Sequence, residues 1–153
     1  MDILNSIIDE EHLNIHFDNR MPSKQGGLIF NNDIYINPRK STYEQHEYLA
    51  EEIGHYKTTV GDIIDQKFNL NNRKQEQKAR DYGCKLLVTL DGLIECYKSY
   101  FTTEYEIAEY FQVTVPYLRK SINMYRRKFG DRFTYKQYIF DLSNGLFILP
   151  QDN

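Results

Sequence analysis

The sequence predicts an α+β fold: a small hairpin-bearing sheet packed on several helices, followed by a helical pair and a C-terminal β-hairpin. Three observations carry this expectation. Short β-branched and aromatic runs flank polar turns near both ends of the chain. Between them, apolar residues recur at helical spacing. Two Ser/Thr-x-x-Glu capping boxes, at Ser41–Glu44 and Thr103–Glu106, mark where helices begin.

The elements follow in order. Residues 1–14 place Ile3, Leu4, Ile7, Ile8 and Leu13 among acids, which predicts a short amphipathic helix. Asn14–Phe17 reads as a strand entering a loop from Pro22 to Gly27. Leu28-Ile29-Phe30, a turn over Asn31–Asp33, and Ile34–Asn37 make a hairpin that Pro38 closes. Ser41 or Thr42 caps a helix over 42–56, with Tyr48, Leu49 and Ile53 on its apolar side and Gly54 helping the chain turn after His55. A polar connector is expected over 57–72, then a helix from about Arg73 to Val88. In that helix Ala79 and Gly83 stand four apart, so another helix can approach closely. Asp91-Gly92 interrupts the pattern before a helix over 93–100. Thr103 opens a helix holding Ile107, Ala108 and Phe111, and Pro116 fits the first turn of the next, where its missing N–H costs little. Tyr138–Phe140, Asn144-Gly145 and Leu146–Leu149 form the closing hairpin. The domains are expected at 1–92 and 93–153.

Composition narrows the function. The chain has 153 residues, 41% of them hydrophobic, enough for one compact domain with a small appendage. Its net charge of -3 provides no global basic field for nucleic acid or an anionic membrane. No apolar run approaches the roughly 20 residues a membrane helix needs. Met1–Asn5 lacks the basic and apolar segments of a signal peptide. Cys84 and Cys96 make no disulfide framework, so the expected compartment is the cytoplasm. Thirteen tyrosines and nine phenylalanines supply core and contact surface in the absence of tryptophan.

The chemistry concentrates in Leu49-Ala50-Glu51-Glu52-Ile53-Gly54-His55. On a helix Glu51 and His55 share a face, and Glu52 is offset by about 100° at its edge. This is close to the zinc-hydrolase arrangement H-E-x-x-H, in which two ligands one turn apart flank a carboxylate that handles a water proton. Here the first histidine is Glu51. Taken alone the pattern is weak, because acidic pairs beside histidine occur on many solvated helix faces. Glycine beside a mid-helix histidine adds weight, since it costs about 1 kcal/mol relative to alanine. So does the upstream hairpin, whose edge could take an extended peptide. Glu76, in the pattern Glu76-x-x-Ala79-x-x-Tyr82-Gly83-x-x-Leu86-Leu87, adds a third donor.

These residues resemble the ImmA/IrrE-type metallopeptidases. That family carries a helix ending in H-E-L-G-H and a later helix of the form E-x-x-A-x-x-F-A-x-x-L-L. Glu52, Ile53, Gly54 and His55 match the first motif; Glu76, Ala79, Tyr82, Gly83 and Leu86-Leu87 match the second. The hairpin from Leu28 to Asn37 also resembles the family, and Glu106–Val113 looks like its helical pair after the protease segment. Coverage runs over about residues 20–130. The resemblance implies a zincin-like minimal metallopeptidase over 1–92. Glu52 would be the general base, and His55 and Glu76 would be metal ligands. Glu51 departs from the pattern, and as a carboxylate it can itself ligate zinc. Two carboxylates and one imidazole offset more of an ion's charge and are less selective, so manganese or iron enters beside zinc.

Other candidates are weaker. Tyr56 or Tyr82 could stabilise an oxyanion, although a core role is the better expectation for each. Asp62 could be a further ligand, but after Gly61 it is better read as a turn residue. His46 lies about 180° from His55 on a straight helix, which excludes it. His12 and His16 are expected at the surface or packed on the hairpin. Cys84 is expected as a small core residue.

Residues 103–128 look helix-turn-helix-like, with Arg119, Lys120, Arg126, Arg127 and Lys128 on the second helix. The cluster is small in a net acidic chain, so DNA binding is not expected. The expected function is a cytoplasmic metal-dependent endopeptidase. Family resemblance implies that its substrate is a helix-turn-helix repressor of a phage or mobile element. The alternative is an inactive protein- or DNA-binding regulator that keeps the scaffold.

Overall fold

A computed structural model describes residues 2–59 and 69–152. The architecture is α+β, as the sequence predicts. Contacts divide the chain into two compact units, residues 1–87 and 88–153.

In the first unit, α1 (Asp2–Glu10) leads into β1 (Asn14–Phe17), β2 (Gly27–Phe30) and β3 (Asp33–Ile36). The sheet order is β1-β3-β2, with β1 parallel and β2 antiparallel to β3. The central strand alternates in burial, sending Ile34 and Ile36 into the core. The hairpin turn is Asn31-Asn32, and Asn31 takes the left-handed conformation (φ 55°) that asparagine tolerates. The core of this unit is completed by Leu4, Leu49, Ala50, Ile53 and Ala79.

Two long helices follow, α2 (Thr42–Thr59) and α3 (Asn69–Leu87). The capping box at the start of α2 is present: the Glu44 N–H donates to Ser41 Oγ (3.2 Å) and the Ser41 N–H to Glu44 Oε1 (3.3 Å). The helix does not stop at residue 56. It runs through Gly54 and His55 to Thr59, so Gly54 serves a helix contact and not a turn. Of the expected connector, residues 57–59 and 69–72 are helical. Gly61 and Asp62 lie outside the described residues.

The second unit holds α4 (Leu90–Lys98), α5 (Glu104–Phe111), α6 (Val115–Phe129) and a meander of β4 (Arg132–Tyr135), β5 (Tyr138–Asp141) and β6 (Phe147–Pro150). Its core contains Val88, Leu93, Val113, Met124 and Phe140. Asp91-Gly92 does not interrupt α4. It forms the first turn, with Thr89 as N-cap accepting from the Gly92 N–H. Gly92 is small because the Phe111 ring lies where a Cβ would go, 2.4 Å away. The Thr103 capping box and the N-terminal placement of Pro116 are both present. The closing sheet has one strand more than the sequence predicts. β4 precedes the expected hairpin and is joined to β5 by Lys136-Gln137, both at positive φ. Among the described residues, no helix is long and apolar enough to cross a membrane.

Candidate metal centre

The site is built by the crossing of α2 and α3. Ala50, Ile53 and Gly54 on α2 are buried, as are Ala79 and Gly83 on α3. A Cβ built on Gly54 would lie 2.2 Å from the Ala79 carbonyl oxygen, so the two backbones touch there. One turn away, a Cβ on Gly83 would lie 3.1 Å from the Ala50 carbonyl. Glu76, Ala79, Arg80 and Gly83 have the i, i+3, i+4, i+7 spacing of one helix face. The face that makes the backbone contact therefore also carries Glu76 and Arg80 toward the acids of α2.

Glu51, His55 and Glu76 converge there. Each offers a donor atom, and the three atoms lie within 4.8 Å of one another. His55 Nε2 is 3.4 Å from Glu76 Oε2, and Arg80 Nε is 3.6 Å from Glu51 Oε1. Zinc–ligand bonds of about 2.0–2.2 Å in tetrahedral array put donors roughly 3.3–3.6 Å apart. Modest side-chain rotation would bring the three into that range, so set and spacing fit one divalent cation. The Glu51 and His55 side chains are 25% and 18% exposed and that of Glu76 is 46% exposed, which leaves the group open on the α3 side.

Glu52 sits deeper, at 8% exposure. Burial first, and then the negative charges of Glu51 and Glu76, push its carboxyl up to about 8. Near pH 7 such a carboxyl is mostly protonated, and a cation held by Glu51 and Glu76 would draw it back toward its ionised form. This second feature also fits a metal.

The edge strand β2 forms a wall beside Glu52. A Cβ on Gly27 would lie 3.0 Å from Glu52 Cγ and 3.2 Å from its Oε1, and one on Gly26 would overlap the Tyr48 ring. The loop before β2 is tied down by Asn37, which is wholly buried. Asn37 Nδ2 donates to the carbonyls of Pro22 (3.2 Å) and Gln25 (2.9 Å), and its backbone N–H donates to Gly26 O (2.9 Å). Arg39 donates to Asn37 Oδ1 through its backbone N–H and also reaches the Met21 carbonyl. Sequence reasoning missed Gly27, Asn37 and Arg80. The signals available were the Gly26-Gly27 pair at a strand start and an arginine four residues after Glu76 on the same helix face.

The other candidates lie elsewhere. Tyr56 Oη donates to Glu11 (3.1 Å), so its hydroxyl faces α1. His16 bonds Asp33 (2.9 Å) and stacks on Tyr35, the hairpin-packing role expected for it. His46 is buried and is not in the three-donor group. Cys84 and Cys96 are both buried and are not joined in a disulfide. In the second unit, Arg119 makes a two-pronged contact with Glu104 (2.8 Å each) and Arg126 pairs with Asp131, so part of the basic cluster is already neutralised.

A helix carrying Glu-Glu-x-x-His, crossed by a second helix that delivers another glutamate beside a small sheet, defines a metallopeptidase-type scaffold. The chain belongs to the IrrE N-terminal-like domain family, peptidase M78, whose model matches residues 8–123. The match takes in the whole three-donor group and continues into α6. No curated protein matches the chain.

Proposed function

We propose that this protein is a metal-dependent endopeptidase that cleaves a specific protein. The observation that supports this best is the convergence of Glu51, His55 and Glu76 beside the buried Glu52. In this reading those three residues hold zinc, or manganese or iron in its place, since an oxygen-rich set discriminates less. A divalent cation at this position supplies Lewis acidity toward a scissile carbonyl and toward water. Glu52 acts as general base, taking a proton at a carboxylate oxygen and passing it to the leaving amine. The walls around Glu52, Gly27 among them, restrict water. The outer edge of β2 has backbone groups available to align an extended substrate strand. The substrate we propose is a helix-turn-helix repressor of a phage or mobile element, whose loss would relieve repression. The setting is cytoplasmic.

The test is cleavage of such a repressor by purified protein carrying about one divalent ion per chain. Glu52→Gln should abolish cleavage and leave metal content and folding intact. Cleavage that survives the substitution removes Glu52 from the general-base role.

A second reading is a silent regulator that keeps the scaffold. It is favoured by one feature: Glu51 is already paired with a cationic side chain, Arg80. A chain that binds no metal, and that shifts duplex DNA in a salt-sensitive way, would support this reading over the first.

A further inference from the structure

We propose that Arg80 is the built-in counter-charge of the metal centre, and that its pairing with Glu51 sets how tightly the centre holds a divalent cation. The inference rests on the reading of Glu51, His55 and Glu76 as a ligand set.

Glu51 stands where the related motif carries a histidine, which adds a negative charge to a place that already holds Glu52 and Glu76. Arg80 comes from the crossing helix, four residues after Glu76 and next to the Ala79–Gly54 contact, and its Nε reaches 3.6 Å from Glu51 Oε1. The Glu51–Arg80 pair is together neutral, as an unprotonated imidazole would be. The substituted donor and the guanidinium thus restore the charge balance of a two-histidine set.

Two effects of Arg80 on a bound cation have the same sign. The ion must share the Glu51 carboxylate with the guanidinium, and the guanidinium repels the ion across a few ångströms. At 56% exposure Arg80 acts through a partly aqueous medium, which limits the combined effect to about tenfold in affinity. Such an exposed pair adds little to folding stability. Its effect therefore belongs in metal affinity, where a structural role would not appear.

The experiment measures Zn²⁺ affinity of the full chain by competition with a chromophoric chelator. The proteins compared are wild type, Arg80→Gln, Arg80→Lys and Lys78→Gln. Lys78 is exposed and lies two residues from Glu76 on another side of α3, so it controls for net charge alone. Arg80→Gln should bind zinc about tenfold more tightly, and more salt should shrink the gap. Arg80→Lys keeps the charge and should stay close to wild type, and Lys78→Gln should leave affinity unchanged. Equal or weaker binding by Arg80→Gln overturns the inference and leaves the ligand set standing, as does an equal gain from Lys78→Gln. No zinc bound by either wild type or Arg80→Gln overturns the ligand set as well.

Discussion

Glu11 shows how single contacts tie the first unit together. Its carboxylate accepts from Tyr56 Oη (3.1 Å) and Lys57 Nζ (2.5 Å), which joins the segment after α1 to the last turns of α2. The Lys57 hydrogen bond first, then that from Tyr56, hold its carboxyl below the ordinary value of 4.5. A carboxyl depressed in the folded state binds fewer protons than in the unfolded chain. Its contribution is therefore complete above the unfolded value and is lost as pH falls through the lower folded value. Glu11→Gln should lower stability at neutral pH, and the difference from wild type should narrow as pH falls below the ordinary carboxyl value of 4.5. Urea unfolding at pH 3 to 7 measures this, and a pH-independent difference would exclude the linkage. The chemistry at this scale was legible unevenly. Glu51, Glu52 and His55 could be placed relative to one another because helical spacing fixes which side chains share a face, whereas Glu76, on another helix, was indicated by the motif it resembles. Arg80 and Gly27 could not, because their importance arises only when a second helix and a strand meet α2.

At the scale of elements, the crossing of α2 and α3 makes a sharp expectation. Gly54→Ala gains helix propensity but drives a methyl group into the Ala79 carbonyl, which is backbone and cannot turn aside. It should destabilise the protein by about 1–3 kcal/mol, the usual cost of overpacking. Gly83→Ala meets the Ala50 carbonyl at 3.1 Å, a tight contact that a small backbone shift can relieve, and should cost less. Thermal or urea denaturation of the two variants gives the ranking, and equal costs would contradict the backbone contact. Helices and caps were readable because Ser41, Glu44, Thr103 and Glu106 act locally, through bonds within one turn. Boundaries were less so. Gly54 looked like punctuation because a single sequence does not show that the glycine answers a neighbouring helix. The strand β4 escaped notice because its turn, Lys136-Gln137, takes left-handed conformations without the glycine or asparagine that announces them.

At the scale of the whole molecule, a bound ion links the site to stability. If Glu51, His55 and Glu76 hold a cation only when folded, zinc at 100 times its dissociation constant should add about 2.7 kcal/mol. The midpoint of thermal unfolding should rise with zinc in the wild type and should not move in His55→Ala. An equal rise in both would place the ion elsewhere. The α+β class was legible from the alternation of strand and helix periods. The parallel pairing of β1 with β3 was not, since no local signal selects a strand's partner.

The glycine-mediated contact between α2 and α3 has a consequence for how such a chain can change over generations. The three donor residues can be exchanged one at a time while the helices keep their approach, so the donor set can be lost and regained without refolding. A bulky replacement at Gly54 offers no such return, because it would separate Glu76 on α3 from Glu51 and His55 on α2 while altering none of the three. The glycine, chemically inert, is therefore the position at which loss of the centre would be hardest to reverse.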